Sequence, residues 1–189
     1  MDDALKTSME KASNAVLPKS MKSTGALKWL WLSVLVIALD LGTKAIASHY
    51  LVLRESVAVF PGFNWTLMHN TGAAFSFLSE QSGWQRWFFS FIAIAVSLGI
   101  GFWLKRLRPN QVWMAVGLAL ILGGALGNVY DRITLGYVVD FIEVYYGRWF
   151  WPSFNIADSA ISVGAAILII DSLRGNHRSE KRSIEPGPE

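Results

Sequence analysis

Four long apolar stretches, separated by more polar segments, dominate the pattern of hydrophobic and polar positions along this chain of 189 residues. They run over about residues 29–47, 87–104, 112–130 and 154–170. Each approaches or reaches the ~20 residues that a helix needs to cross the hydrocarbon of a bilayer. The pattern therefore predicts a membrane α-helical protein with four transmembrane helices.

Composition supports this prediction and excludes several kinds of chemistry. Hydrophobic residues make up 52% of the chain and charged residues only 16%, where roughly 25% charged is ordinary for a soluble domain. The chain has no cysteine, which excludes a disulfide framework, a thiol nucleophile and a cysteine-ligated metal. The sequence also has no G-x-S-x-G motif, which is the usual signature of a serine nucleophile, and no Walker-type or G-x-G-x-x-G phosphate-binding loop.

The placement of Lys and Arg predicts the orientation in the membrane, because basic residues concentrate on the cytoplasmic side. Of the 17 basic residues, 12 lie before the first span, between the second and third, or after the fourth: Lys6, Lys11, Lys19, Lys22, Lys28, Lys105, Arg106, Arg108, Arg174, Arg178, Lys181 and Arg182. Both termini are then cytoplasmic. We expect a cytoplasmic tail over residues 1–26, a membrane domain over 27–173 and a second cytoplasmic tail over 174–189.

Two segments are expected on the opposite, extracytoplasmic side. Residues 57–60 and 63–68 are apolar runs separated by Pro61-Gly62, which predicts a β-hairpin and hence a small extracytoplasmic β element. Residues 137–151 contain seven aromatic side chains. Since aromatic residues with polar edges favour the headgroup level, we expect this stretch to be an interfacial aromatic segment that covers what lies beneath it.

Polar residues collect near the extracytoplasmic ends of the spans. They comprise four carboxylates and three amides, namely Asp40, Asp131, Asp140, Asp158, Asn70, Asn128 and Asn155. Taken singly, each has a structural explanation. Asp40 can pair with Lys44 four residues later, and Gly123 with Gly127 forms a G-x-x-x-G pattern that lets helices pack closely. The clustering on one side nevertheless indicates a functional site.

Paired carboxylates are the reactive constellation that this set provides. Two aspartates close together in a low dielectric do not both ionise, so one keeps its proton. The charged one can take a proton from water while the protonated one polarises a carbonyl, which hydrolyses an amide without metal or organic cofactor. Spacing does not choose the pair among the four aspartates. Two alternatives stay open: a non-catalytic scaffold or lipid-binding protein, and a metal-dependent enzyme acting on lipid phosphates.

Four ordered blocks carry a resemblance to a known family. They are residues 40–44 (DLGTK), 70–75 (NTGAAF), 123–132 (GGALGNVYDR), and 138–141 (VVDF) leading to 154–158 (FNIAD). With these blocks the chain resembles the bacterial lipoprotein signal peptidases, also called signal peptidase II, over about residues 27–173. The resemblance implies an aspartic endopeptidase that removes the signal peptide of prolipoproteins by cleaving before the diacylglyceryl-modified cysteine.

The same resemblance implies roles for individual residues. The catalytic aspartates would be Asp140 and Asp158, with neither a metal nor another cofactor. Substrate-binding positions would be Asn70, Gly123, Asn128, Arg132, Asn155 and Ala157, and supporting polar residues would be Asp40, Lys44 and Asp131.

The expected partners and location follow from the same family. Partners would be diacylglyceryl-modified prolipoproteins, membrane lipids and inhibitory cyclic peptides similar to globomycin, without nucleic acid. We expect a monomeric, multi-pass protein of the bacterial plasma (inner) membrane whose active site lies at the extracytoplasmic face.

Overall fold

The computed structural model describes residues 26–72 and 83–184, with side chains as far as Arg174 in the last helix. The long helices within these residues are α1 (Leu30–Tyr50), α2 (Trp84–Arg106), α3 (Val112–Thr134) and α4 (Ile156–Ile184). At 1.5 Å per residue even α1 is about 32 Å long, enough to cross a bilayer's hydrocarbon. The four helices are also apolar enough to span a membrane, which confirms the four predicted spans.

Helix α4 extends beyond the predicted span. The apolar run ends near residue 170, but α4 continues to Ile184, so the first part of the predicted tail 174–189 is helical. Charged residues such as Glu180 and Lys181 are good helix formers, and the next proline is Pro186. The end of an apolar run indicates where a helix leaves the membrane. The helix itself can continue as long as the following residues favour helical backbone. Residues 1–25 of the predicted N-terminal tail lie outside the described residues.

Helix α3 is the centre of the bundle and packs against α1, α2 and α4. Most of its apolar span is buried, whereas the other three helices expose most of theirs. Small residues along α3 explain this, because they allow neighbouring helices to approach closely. A Cβ atom added to Gly123 would lie 2.8 Å from the Ser33 carbonyl oxygen of α1. One added to Gly127 would lie 2.6 Å from Asp40 Oδ2, so the predicted packing role of this glycine pair is confirmed.

A four-stranded antiparallel sheet lies where α1 and α3 end and α4 begins. Its strands, in the order β1-β2-β3-β4, are β1 (Ser56–Phe60), β2 (Phe63–Asn70), β3 (Val138–Tyr146) and β4 (Trp149–Phe150). The first two strands confirm the predicted hairpin. The sheet packs on α1 through an apolar core of Ala47, Leu67, Val139 and Phe141.

The aromatic segment 137–151 differs from the predicted interfacial cover. It forms β3 and β4, and residues 138–141 are buried because β3 is a central strand that packs on α1 and the end of α3. In the second half of the segment, the side chains of Tyr146 and Trp149 are almost fully exposed, and that of Trp151 is about two-thirds exposed. Only that half has the exposure that an interfacial segment requires.

Candidate active site

The start of α4 is built around Asn155 and Asp158. Asn155 precedes the helix, and its Oδ1 accepts the backbone N–H of Asp158 at 2.9 Å. In return, Asp158 Oδ2 accepts the backbone N–H of Asn155 at 3.2 Å, the reciprocal arrangement of a capping box. The Asn-x-x-Asp pattern is visible in the sequence, so the capping rule could have indicated how this carboxylate is held. Asp158 is half-buried.

Asp140 reaches the same place from β3 and is only 2% exposed. Its Oδ1 accepts Asn155 Nδ2 at 2.8 Å, and its Oδ2 accepts Asn70 Nδ2 at 3.0 Å. Burial raises the pKa of Asp140 to about 7, and the negative charge of Asp158 acts in the same direction, while the Asn70 and Asn155 donors oppose the shift. This carboxyl therefore keeps its proton up to about pH 7, where an ordinary aspartate has long been ionised.

Backbone pairing holds the two aspartates next to each other. The backbone N–H groups of Phe141 and Ile142 both donate to the Phe154 carbonyl oxygen, at 3.1 and 2.9 Å, and the Phe154 N–H donates back to Ile142. These hydrogen bonds connect Phe141, which follows Asp140, to Phe154, which precedes Asn155. Residues separated by about fifteen positions thereby become neighbours, which no local periodicity predicts.

A second group, Asp40, Lys44 and Asp131, lies beneath the first and is almost completely buried. The Lys44 ammonium lies 2.7 Å from Asp40 Oδ2 and 2.9 Å from Asp131 Oδ2, which confirms the predicted pairing of Asp40 with Lys44. Each carboxylate also accepts a backbone N–H: Asp40 from Ala157 at 2.9 Å, and Asp131 from Val139 at 3.0 Å. This group thus joins α1 to α4 and α3 to β3.

Two buried amides connect the groups. Asn128 Oδ1 accepts Lys44 Nζ at 3.0 Å, and its Nδ2 donates to Asp158 Oδ1 at 2.8 Å. Asn155 Nδ2 lies within hydrogen-bonding distance of Asn128 Oδ1, at 3.2 Å, as well as of Asp140. The seven polar residues collected in the sequence, together with Lys44, form one connected network, which we call the polar cluster.

Arg132 lies at the edge of the polar cluster, close enough to Asp158, Asp140 and Asp131 to interact electrostatically with each. Its Nη1 donates to the Asn128 carbonyl oxygen at 3.4 Å. The guanidinium also lies 5.7 Å from the centre of the Phe89 ring. The sequence did not single out Phe89, because an aromatic residue on an apolar span carries no signal that it faces a charge.

Two of the expected substrate-binding residues lie between helices. Gly123 faces the backbone of α1, and Ala157 is completely buried, 3.6 Å from where a Cβ of Gly127 would be. Both positions therefore set the distances between helices. Residues 73–75 of the 70–75 block lie outside the described residues.

The polar cluster offers two neighbouring carboxyls in different surroundings. Two such groups with different proton affinities can divide acid and base roles between them. The half-buried carboxylate is open to water, while the buried one retains a proton that it can donate in a hydrogen bond. This arrangement suits general acid–base hydrolysis of an amide.

Comparison with protein families identifies a match over residues 32–174, to a family described as signal peptidase (SPase) II. A lipoprotein signal peptidase of Pseudomonas fluorescens is 52% identical over 166 residues, covering 87% of this chain and 98% of that protein. One from Pseudomonas aeruginosa is 54% identical over 158 residues, covering 82% of this chain and 94% of that protein.

Solved structures show a similar fold. A bacterial membrane enzyme determined in meso at 1.9 Å resolution superposes with a TM-score of 0.69 at 33% identity, covering 77% of this chain and 92% of that chain. A second, determined at 2.3 Å, also has a TM-score of 0.69, at 32% identity, with 86% and 93% covered. The fold of this chain is therefore similar to that of bacterial membrane enzymes.

Proposed function

This chain belongs to the signal peptidase II family and is an aspartic-type peptidase that removes the signal peptides of lipoproteins, and we propose that Asp140 and Asp158 are its catalytic pair. The observation that carries the assignment is that one residue, Asn155, donates to both carboxyls, from its side-chain Nδ2 to Asp140 Oδ1 at 2.8 Å and from its backbone N–H to Asp158 Oδ2 at 3.2 Å. Asp40 and Asp131, the other two aspartates of the polar cluster, are both paired with Lys44, so they are occupied in holding the helices together.

The surroundings of the pair assign a different role to each member. Asp140, buried and with a pKa raised to about 7, keeps its proton and donates a hydrogen bond to the scissile carbonyl. Asp158, half-buried and held at the start of α4, is the carboxylate that takes a proton from the attacking water. A positive helix N-terminus favours negative charge at this position.

The reaction then proceeds in two steps. Water attacks the carbonyl carbon as Asp158 takes its proton, and the proton of Asp140 passes to the carbonyl oxygen, giving a tetrahedral diol. Asp158 next gives a proton to the leaving nitrogen, Asp140 regains its proton from the diol, and the C–N bond breaks. Both aspartates return to their starting state, and one water molecule is consumed.

The substrate is a prolipoprotein whose bond is cut before the diacylglyceryl-modified cysteine. Acyl chains of such a substrate stay in the bilayer beside apolar helices, while the peptide reaches the polar cluster at the membrane surface. Arg132, Asn70 and Asn128 surround the catalytic pair and are the residues we assign to substrate binding.

Cyclic peptides similar to globomycin would bind at the same site as the substrate. The enzyme would act as a monomer among membrane lipids.

The enzyme is a multi-pass protein of the bacterial membrane, and we assign it to the plasma membrane with both termini in the cytoplasm. The distribution of basic residues supports this orientation, and four spans return the chain to its starting side. The sheet and the polar cluster then lie at the extracytoplasmic face. Residues 27–173 form the peptidase domain between two cytoplasmic tails.

A cleavage assay on the purified protein in detergent tests the catalytic pair. The substrate is a prolipoprotein with and without its diacylglyceryl group, and the variants are Asp140→Asn and Asp158→Asn. We expect wild type to cleave only the lipidated substrate and each variant to lose at least ~10³-fold in kcat, because an amide can neither accept the water's proton nor donate the acidic one.

Asp171→Asn provides the matched control, since Asp171 lies on α4 well beyond the polar cluster. It should cleave like wild type. Folding of each variant is checked by thermal unfolding in the same detergent. A folded Asp140→Asn or Asp158→Asn protein that retains activity would contradict the assignment, and a folded wild type without activity on either substrate would favour the non-catalytic scaffold.

A further inference from the structure

Lys44 has an unusual environment for a lysine in a membrane-spanning helix. Its side chain is 4% exposed, and three oxygen atoms lie within 3.0 Å of Nζ: Asp40 Oδ2, Asp131 Oδ2 and Asn128 Oδ1. An ammonium group has three N–H donors and no acceptor. The two carboxylate oxygens form ion pairs with the ammonium, whereas the neutral Asn128 Oδ1 accepts a hydrogen bond from it and connects it to the catalytic pair.

The donor-only character of Lys44 determines how the Asn128 amide is oriented. The atom facing an ammonium must be an acceptor, so it is Oδ1, and Nδ2 must point to the other side. That side is occupied by Asp158 Oδ1 at 2.8 Å, which is an acceptor when ionised. Asn155 Nδ2, 3.2 Å from Asn128 Oδ1, supports the same orientation. Nδ2 of Asn128 is thus held as a donor to Asp158.

We propose that Lys44 is a positioning residue for the peptidase reaction, which fixes the orientation of the Asn128 amide and thereby keeps an N–H donor on the carboxylate that activates water. The inference rests on the proposed catalytic pair. It gives Lys44 a role beyond pairing with Asp40, because the effect reaches Asp158 through a neutral residue.

Charges on every neighbouring element bear on this orientation. Helix α1 contributes Asp40 and Lys44, α3 contributes Asp131 and Arg132, β3 contributes Asp140 and α4 contributes Asp158. Without the ammonium, Asp40 and Asp131 would attract the N–H groups of Asn128. The amide would turn over and present Oδ1 to Asp158, replacing a donor with a second acceptor.

The test uses Lys44→Met, which keeps the length of the side chain and removes its donors. We expect kcat at neutral pH to fall by about tenfold or more with KM changed by less than about twofold, because the defect is in proton transfer and not in binding. The split between kcat and KM distinguishes a positioning role, because a purely structural loss would lower the amount of active enzyme and leave both constants unchanged.

Ser33→Ala is the matched structural control. Ser33 is buried in the same α1–α3 interface, and its Oγ donates to the Ala119 carbonyl oxygen at 2.7 Å, away from the polar cluster. Its loss should lower thermal stability and leave kcat and KM unchanged. If Lys44→Met yields less active enzyme but that enzyme has wild-type kcat, the proposal is overturned.

Asn128→Leu provides a second variant if Lys44→Met does not fold. It keeps Lys44 and its two ion pairs but removes the donor facing Asp158, so kcat should again fall by about tenfold or more. A folded Asn128→Leu protein with wild-type kcat would overturn the proposal. If the assignment of the catalytic pair is itself wrong, a different result shows it: Asp158→Asn retains activity.

Discussion

At the scale of single residues, Asp140 and Asp158 differ in how closely water approaches them. Asp140 is enclosed by β3, Asn70 and Asn155, whereas Asp158 lies at the start of a helix and remains half-exposed. Transfer of a carboxylate out of water favours its neutral form. The folded protein therefore binds a proton at Asp140 that the unfolded chain releases at a much lower pH.

The stability of the protein should depend on pH because of Asp140. Its pKa rises from 3.8 to about 7 on folding, so the stabilisation is complete below pH ~4 and is lost as the pH rises to about 7. At about 1.4 kcal/mol per pH unit, this amounts to at most ~4 kcal/mol. Thermal unfolding in detergent between pH 4 and 8 should show wild type losing stability across this window.

Asp140→Asn is the comparison, because an amide does not titrate. Its free energy of unfolding should lack this decline, so its stability relative to wild type should increase from pH 4 to pH 7 and then stay constant. Parallel curves for the two proteins over the whole range would show that Asp140 ionises in the folded protein as it does in water.

At the scale of secondary structure, α3 decides whether the polar cluster can assemble. Its glycines bring α1 and α4 close enough for Asp40 to reach the backbone of Ala157 across the helix. Gly124 has the least room, since a Cβ atom there would overlap the Ala157 carbonyl group. Close contact between helices is therefore a condition for the site as well as for the fold.

Gly124→Ala should lower the free energy of unfolding by about 1–3 kcal/mol, the range found when a packed interface is overfilled. Activity should fall with it, because α4 carries Asp158 and must move away. The control is Gly101→Ala in α2, where no atom lies within 4 Å of an added Cβ. Thermal unfolding and cleavage rates, measured side by side, should separate the two; equal behaviour would mean that the α3–α4 contact is not tight.

At the scale of the whole molecule, the polar cluster and the sheet lie at one end of the helix bundle. The membrane-spanning helices point apolar side chains outward. Exposed large hydrophobic residues are frequent on α1, α2 and α4, as expected for helices surrounded by lipid. Within the described residues, the sheet lies at the end of the bundle where α1 and α3 finish and α4 starts. The proposed orientation places this end, with the sheet, outside the cell.

Cysteine labelling tests that orientation directly, because the chain has no cysteine of its own. We expect Arg148→Cys, in the exposed turn between β3 and β4, to react with a membrane-impermeant maleimide on intact spheroplasts. Arg108→Cys, between α2 and α3, should react only after the membrane is opened. The reverse pattern would place the site in the cytoplasm.

The sequence by itself determined the elements and their chemistry. The lengths of the apolar runs located most ends of the four spans to within a few residues. A proline-glycine turn predicted the β1–β2 hairpin, and a spacing of four residues predicted the Asp40–Lys44 pair. These features depend on neighbours along the chain, so they can be read without a structure. The motifs of the signal peptidase II family could be identified in the same way.

Only the tertiary structure decided which partners each of the four aspartates has. Lys44 pairs with Asp131 and bonds Asn128, which is 84 positions away in the sequence, and Asp140 meets Asn155 through the pairing of β3 with Phe154. Burial likewise arises from surrounding elements and not from local pattern, which is why residues 138–141 of an aromatic segment lie inside the fold. The proton affinity of a carboxyl depends on such distant partners and on exclusion of water, and those exist only once the chain has folded.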